Sequence, residues 1–166
     1  MIIIIAAVGK NLELGRNGGL IWRLPSDLKF FKEQTEGCMV AMGRNTFNSL
    51  PKKLPNRKHL VLTDVDDFNK SVEDVDVFYN FEALLEKVKR HSCEENEHVY
   101  IIGGASIYRQ FLPYADELIL TEIEAETDEA DVYFPDFDKT LYTKYYLASN
   151  EDNGIKYNHV SYIRKW

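Results

Sequence analysis

The chain opens on MIIIIAAV, an unbroken apolar run dominated by β-branched Ile. A short continuous run of this kind reads as a strand buried on both faces rather than one with a wet side. Apolar or alternating runs recur, and predict strands at 2–8, 38–43, 58–63, 75–79, 98–102, 117–124, 142–149 and 156–164. Between them, spacing near 3.6 residues predicts helices at 26–35, 44–50, 81–91 and 105–112. The third shows Phe81, Leu84, Leu85 and Val88 as its apolar stripe, with Asn80 placed to cap it. Strand and helix alternate through the first half, which favours a mostly parallel sheet covered on both faces. The end differs: LYTKYYLASNEDNGIKYNHVSYIRKW is two aromatic-rich runs around Asn153-Gly154, a hairpin signal. The expectation is one α/β domain over 1–166. Its twisted sheet is mixed and mostly parallel, with a C-terminal antiparallel hairpin.

Composition narrows the function. With 166 residues, 45% of them hydrophobic and 13% aromatic, the chain can bury one sizeable core. The opening run is far short of the ~20 apolar residues that span a bilayer, and lacks a basic region and cleavage site, so no membrane partner or signal peptide is expected. A net charge of −7 and no dense Lys/Arg patch argue against a nucleic-acid partner. Cys38 and Cys93, far apart in sequence, read as reduced thiols of a cytoplasmic protein. His59, His91, His98 and His159 are scattered without metal-ligand spacing, so no metal site is expected. The acidic run EIEAETDEAD at 122–131 reads as a solvated loop, and no Gly-x-Ser-x-Gly elbow is present.

Three features carry candidate chemistry. In GGLIWRLPSDLKFF, Pro25 and Ser26 mark a helix start, with Ser26 as the cap. At about 100° per residue, Asp27 then shares the apolar arc with Leu28, Phe30 and Phe31, while Lys29, Lys32 and Glu33 face away. A carboxylate there is costly to desolvate, and is a candidate proton donor or anchor for a cationic heterocycle. The second feature, GKNLELGRNGG at 9–19, is a surface loop or a lid with glycine hinges. The third is a pair of strand-to-helix junctions, at Gly43-Arg44 and at Gly103-Gly104. Each sets free backbone N–H groups and a positive dipole end beside glycine, and side by side they would hold a pyrophosphate.

Taken together, LIWRLPSDLKFFK, MGRNTFNSL, LPNRKHLVLT, IIGGASIYRQFLPYADELILTEI and YFPDF resemble bacterial dihydrofolate reductase, in order and over nearly the full chain. The resemblance implies an eight-stranded sheet with four flanking helices. It also implies NADPH-dependent reduction of 7,8-dihydrofolate to tetrahydrofolate by a monomer that also binds antifolates. By position, Asp27 is the active-site acid, Trp22 orders a water, Thr121 hydrogen-bonds Asp27, and Tyr108 sits near the nicotinamide. Ile5, Ala7, Leu28, Phe31, Leu50, Leu54 and Ile102 line the substrate pocket, and Arg57 pairs with the substrate α-carboxylate. Gly103 and Gly104 correspond to the family's cis Gly-Gly bond. The cofactor set is Ala7, Gly15, Leu20, Gly43, Arg44, Asn45, Thr46, Leu62, Thr63, Asp64, Ile102, Gly103, Gly104, Ala105, Ser106, Ile107 and Tyr108, beneath a lid at 9–24.

Two departures from the family pattern stand out. Ile21 replaces the usual Pro before Trp22, which bears on lid stiffness. Around the phosphate that distinguishes NADPH from NADH, Arg44 is the one cation, with Asn45, Asp64 and Ser106 in the other places. The alternatives are a same-fold reductase acting on a riboflavin-pathway pyrimidine and a nucleotide-binding module without catalysis. Neither needs Asp27, Trp22, Arg57 and Thr121 together.

Overall fold

The structure is a computed structural model that describes residues 1–64 and 74–166. In chain order, β1 (Ile2–Val8), β2 (Glu13–Arg16) and β3 (Gly19–Leu20) lead to α1 (Pro25–Thr35). β4 (Met39–Gly43) runs into α2 (Arg44–Ser49), followed by β5 (Lys58–Leu62), β6 (Val75–Phe78) and α3 (Phe81–Glu94). β7 (Val99–Ile101), α4 (Ala105–Phe111), β8 (Glu117–Ile123), β9 (Val132–Tyr133), β10 (Tyr142–Asp152) and β11 (Ile155–Arg164) complete the chain. The main sheet has eight strands in the order β10-β11-β8-β1-β7-β4-β5-β6. Pairing is parallel from β8 to β6, and antiparallel where β11 meets β8 and β10.

The all-Ile opening is explained by its place. β1 lies between β8 and β7, and its residues alternate between two cores. Ile3 and Ile5 pack with Val40, Met42, Val61, Tyr100 and Ile119, against Phe30 and Phe31 of α1 and Phe47 of α2. Ile2, Ile4, Ala6 and Val8 pack with Leu60, Leu118 and Leu120, against Leu84 and Val88 of α3 and Phe111 of α4. Each buried Ile contributes about 1.5–3 kcal/mol relative to exposure, so a polar residue at any of these positions would be costly. The closing hairpin turns on Asn153 and Gly154, both left-handed at φ 54° and 78°, as a type I′ turn requires. Asn80 caps α3 as its side chain accepts from the Ala83 N–H at 2.8 Å.

Two expectations are corrected. α1 begins at Pro25 with Leu24 as N-cap and no side-chain cap, so Ser26 is not the cap. Instead the Ser26 N–H and hydroxyl donate to Asp152 Oδ2 and Oδ1 at 2.8 and 2.9 Å. A carboxylate from the end of β10 thus sits at the positive end of the helix, where the dipole favours it. The acidic run is a partly to fully exposed loop over 124–131, as expected, but the segment at 9–19 is not loop throughout. Part of the latter is β2, which pairs with β3 and β9 in a second, three-stranded sheet of order β3-β2-β9. Strands this short carry too little pattern to be read, and side-chain-to-backbone bonds described below hold them.

Candidate active site

One row of the main sheet places the acid's partners. Ala7 of β1 pairs in register with Thr121 of β8, and Thr121 with His159 of β11. The face that row presents lies under the first turn of α1, which carries Asp27. The Thr121 hydroxyl donates to Asp27 Oδ1 at 2.6 Å, and His159 Nε2 lies 2.9 Å from the same oxygen. Phe30, three residues along α1, stacks on the His159 ring at 3.7 Å and 9°. The apolar arc predicted around Asp27 therefore exists, though Leu28 is 37% exposed at its margin. His159 is one site residue that sequence reasoning missed. A lone His on an aromatic strand gives no signal until strand register sets it beside Thr121.

Five of the expected substrate residues fall in two apolar clusters on one face of the sheet. Ile5, Phe31, Leu50 and Ile102 belong to one apolar cluster, while Ala7 and Trp22 join the adjoining one around Leu24, Ile123 and Tyr157. Leu54 is half-buried, and its N–H donates to His59 Nε2 at 3.1 Å. The other ring nitrogen of His59 faces the Arg57 carbonyl at 3.0 Å. Burial lowers His59 below its ordinary 6.5, which suits a neutral ring that accepts at Nε2. Arg57 is buried and tethered: Nε donates to the Pro55 carbonyl at 2.9 Å, and Nη1 to Thr35 Oγ1 at 3.3 Å. Burial lowers the guanidinium from its ordinary 12.5, against Glu36 and Cys38, but arginine stays charged in proteins. Two donors are thus spent on holding a rigid fork in place.

On the other side of Ala7 and Ile102 opens a cleft of about 840 Å³. Every residue of the expected cofactor set lines it: Ala7, Gly15, Leu20, Gly43–Thr46, Leu62–Asp64 and Ile102–Tyr108. Arg16, Tyr79 and Gln110 also line it and were not expected. α2 and α4 both start at glycine with no side-chain cap, at Gly43 and Gly104, so their first N–H groups are left to a ligand or water. The Gly103-Gly104 peptide is cis, and Gly103 has φ 124°. A Cβ there would meet the Tyr108 hydroxyl at 3.2 Å and Thr46 Oγ1 at 3.5 Å. Tyr108 donates to the Ile5 carbonyl at 2.8 Å, and burial pushes its phenol well above its ordinary 10, so it stays neutral.

The residues expected to form a lid are stitched to the acidic run. Glu13 is 1% exposed; its Oε1 accepts from the Asn11 N–H at 2.7 Å and its Oε2 from the Thr127 N–H at 2.8 Å. Arg16 pairs with Glu129 at 2.6 Å, and the Asn17 N–H donates to Asp131 Oδ2 at 2.9 Å. Behind them, Gly9 sits so tightly that a Cβ would lie 2.6 Å from Glu13 Oε1 and 2.7 Å from Trp22 Cη2.

A carboxylate bonded to Thr121 and His159, next to a cleft with two glycine-started helices and a cis glycine pair, fits a nucleotide-dependent enzyme. A family model described as dihydrofolate reductase matches residues 1–164. The dihydrofolate reductase of Bacillus subtilis is 35% identical over 168 residues, covering 99% of this chain and 95% of that protein. That of Neisseria gonorrhoeae is 34% identical over 167 residues, covering 99% and 98%. A solved dihydrofolate reductase from Enterococcus faecalis, complexed with NADP(H) and RAB-propyl, superposes with a TM-score of 0.82 at 32% identity, covering 99% of this chain and 96% of its own. The chain belongs to the dihydrofolate reductase family.

Proposed function

We infer that the chain reduces 7,8-dihydrofolate to tetrahydrofolate with NADPH. The observation that carries this reading is Asp27, held at Oδ1 by Thr121 beside a cleft that contains the whole expected cofactor set. Arg44, Thr46 and the N–H groups at the starts of α2 and α4 would hold the cofactor phosphates, since both helix ends lack side-chain caps. NADPH, when bound, supplies the hydride. Asp27 anchors the 2-amino group and N3 of the pterin and, by its charge, favours the form protonated at N5. Ile5, Leu28, Phe31, Leu50, Leu54 and Ile102 cover the ring and the p-aminobenzoyl group, which keeps water from screening that charge. The exposed edge of Leu28 is the kind of surface such a ligand would cover. Arg57 takes the α-carboxylate with the donors its tethers leave over. Tyr108 sits on the nicotinamide side of the cleft, Trp22 orders a water beside the acid, and residues 9–24 form the lid.

Antifolates would compete for the Asp27 side. Among the described residues no helix is long and apolar enough to cross a membrane. We propose that it works as a monomer, because Asp27, Thr121 and the cofactor cleft are supplied by one chain and need no residue from a second copy; the free thiols Cys38 and Cys93 fit a reducing cytoplasm. Mixing the protein with dihydrofolate and NADPH and following reduced-nicotinamide absorbance tests the reading. Steady loss dependent on both ligands is expected, and no loss with dihydrofolate overturns it.

A further inference from the structure

His159 touches the proposed acid directly, and the roles given above leave it none. Its Nε2 and the Thr121 hydroxyl both meet Asp27 Oδ1, at 2.9 and 2.6 Å. An ionised carboxylate only accepts, so this contact requires the ring to present Nε2–H. The two donors occupy the lone pairs of Oδ1, while among the described residues no donor is placed on Oδ2. The ring has little freedom to move away. It is 2% exposed, stacked on Phe30, edge-on to Tyr157 at 5.5 Å, and fixed opposite Thr121 by the β8–β11 register. Phe30 and Asp27 belong to the same helix, so α1 supplies both the carboxylate and the plate that orients the ring which grips it.

We propose that His159 is a positioning residue for Asp27: with Thr121 it fixes Oδ1 and leaves Oδ2 as the oxygen offered to the substrate. The competing account is that His159 fills space between α1 and the sheet and satisfies its N–H on the nearest acceptor. The proposal rests on the assignment of Asp27 as the substrate-facing acid.

Two variants separate these accounts. His159→Phe keeps a ring to stack on Phe30 and removes the donor; His159→Gln carries a donor at about the same reach. Each is measured in wild-type and Asp27→Asn backgrounds by single-turnover hydride transfer, dihydrofolate affinity and NADPH affinity. In the wild-type background His159→Phe should slow hydride transfer and weaken dihydrofolate about tenfold each, as expected for a lost hydrogen bond to a charged group. NADPH affinity should stay within about twofold, and His159→Gln should recover most of the loss. In the Asp27→Asn background the effect of His159→Phe should shrink to about twofold or less, because residues acting through one another are not additive. Unchanged hydride transfer and dihydrofolate binding, an equal loss in both backgrounds, or an equal loss of NADPH affinity would overturn the proposal. Nitrogen-15 NMR of the unmutated protein decides independently of whether the variants fold. An Nε2–H tautomer is expected, and an Nδ1–H tautomer at neutral pH overturns it. Absence of wild-type turnover would overturn the functional reading, and the proposal with it.

Discussion

Glu13→Gln tests how much one buried carboxylate contributes to holding the expected lid against the run at 122–131. The carboxylate accepts two backbone N–H groups, one on each oxygen, at 2.7 and 2.8 Å, and the second comes from a residue 114 positions away. A carboxamide can accept on one side only; the other N–H would face an NH₂. Losing one hydrogen bond to a charged group costs about 1.5–3 kcal/mol, and the orphaned buried donor adds to it. A total near 3 kcal/mol is a large part of the ~5–15 kcal/mol stability of an ordinary domain. The effect should also depend on pH. Burial alone would raise the Glu13 carboxyl, but the backbone N–H groups of Thr127, Glu13 and Asn11 together outweigh it and hold it below its ordinary 4.5. A depressed carboxyl contributes stability that is fully present above about 4.5 and is lost as pH falls through the lower folded value. Urea unfolding of both proteins from pH 7 down to pH 3 is the assay, with midpoints compared at constant slope. The gap between wild type and Glu13→Gln should be widest at neutral pH and narrow in acid. A gap that is absent at pH 7, or one that stays constant with pH, would refute the argument.

Asp27→Asn keeps shape and removes charge, so neutral-pH turnover should fall by at least about a hundredfold, and less at low pH where dihydrofolate is already protonated. Near-normal turnover in the absorbance assay removes Asp27 from the chemistry. Arg57→Leu should weaken dihydrofolate by about 1.5–3 kcal/mol and NADPH hardly at all; equal weakening in titrations means the pairing is misassigned. Gly9→Ala drives a Cβ into Glu13 and Trp22, and should lower the melting temperature by about 3–10 °C; an unchanged melt by calorimetry contradicts the contact. Asp64 is exposed in the cofactor cleft with Arg44, so Asp64→Arg should raise the NADPH-to-NADH ratio of kcat/KM severalfold by removing about 1 kcal/mol of like-charge repulsion. An unchanged ratio sinks the charge argument.

What was legible in the sequence follows from how far each signal reaches along the chain. The β1 run, the α3 stripe under Asn80 and the Asn153-Gly154 turn are local, and each appears in the structure close to its expected bounds. Asp27 was singled out because helix periodicity alone sets it on the apolar arc. The misses are contacts between distant segments. Ser26 looks like a cap because its own neighbours say so, yet a carboxylate 126 residues away competes for it. Glu13 reads as a loop acid until Thr127 is brought against it, and β2, β3 and β9 are too short to show alternation without each other. His159 is the sharpest instance. Nothing near it in sequence distinguishes it from His91 or His98, and only the β1–β8–β11 register, which aligns Ala7, Thr121 and His159 in one row, delivers it to Asp27. The local rules fix which residues could do chemistry, and register then decides which of them meet.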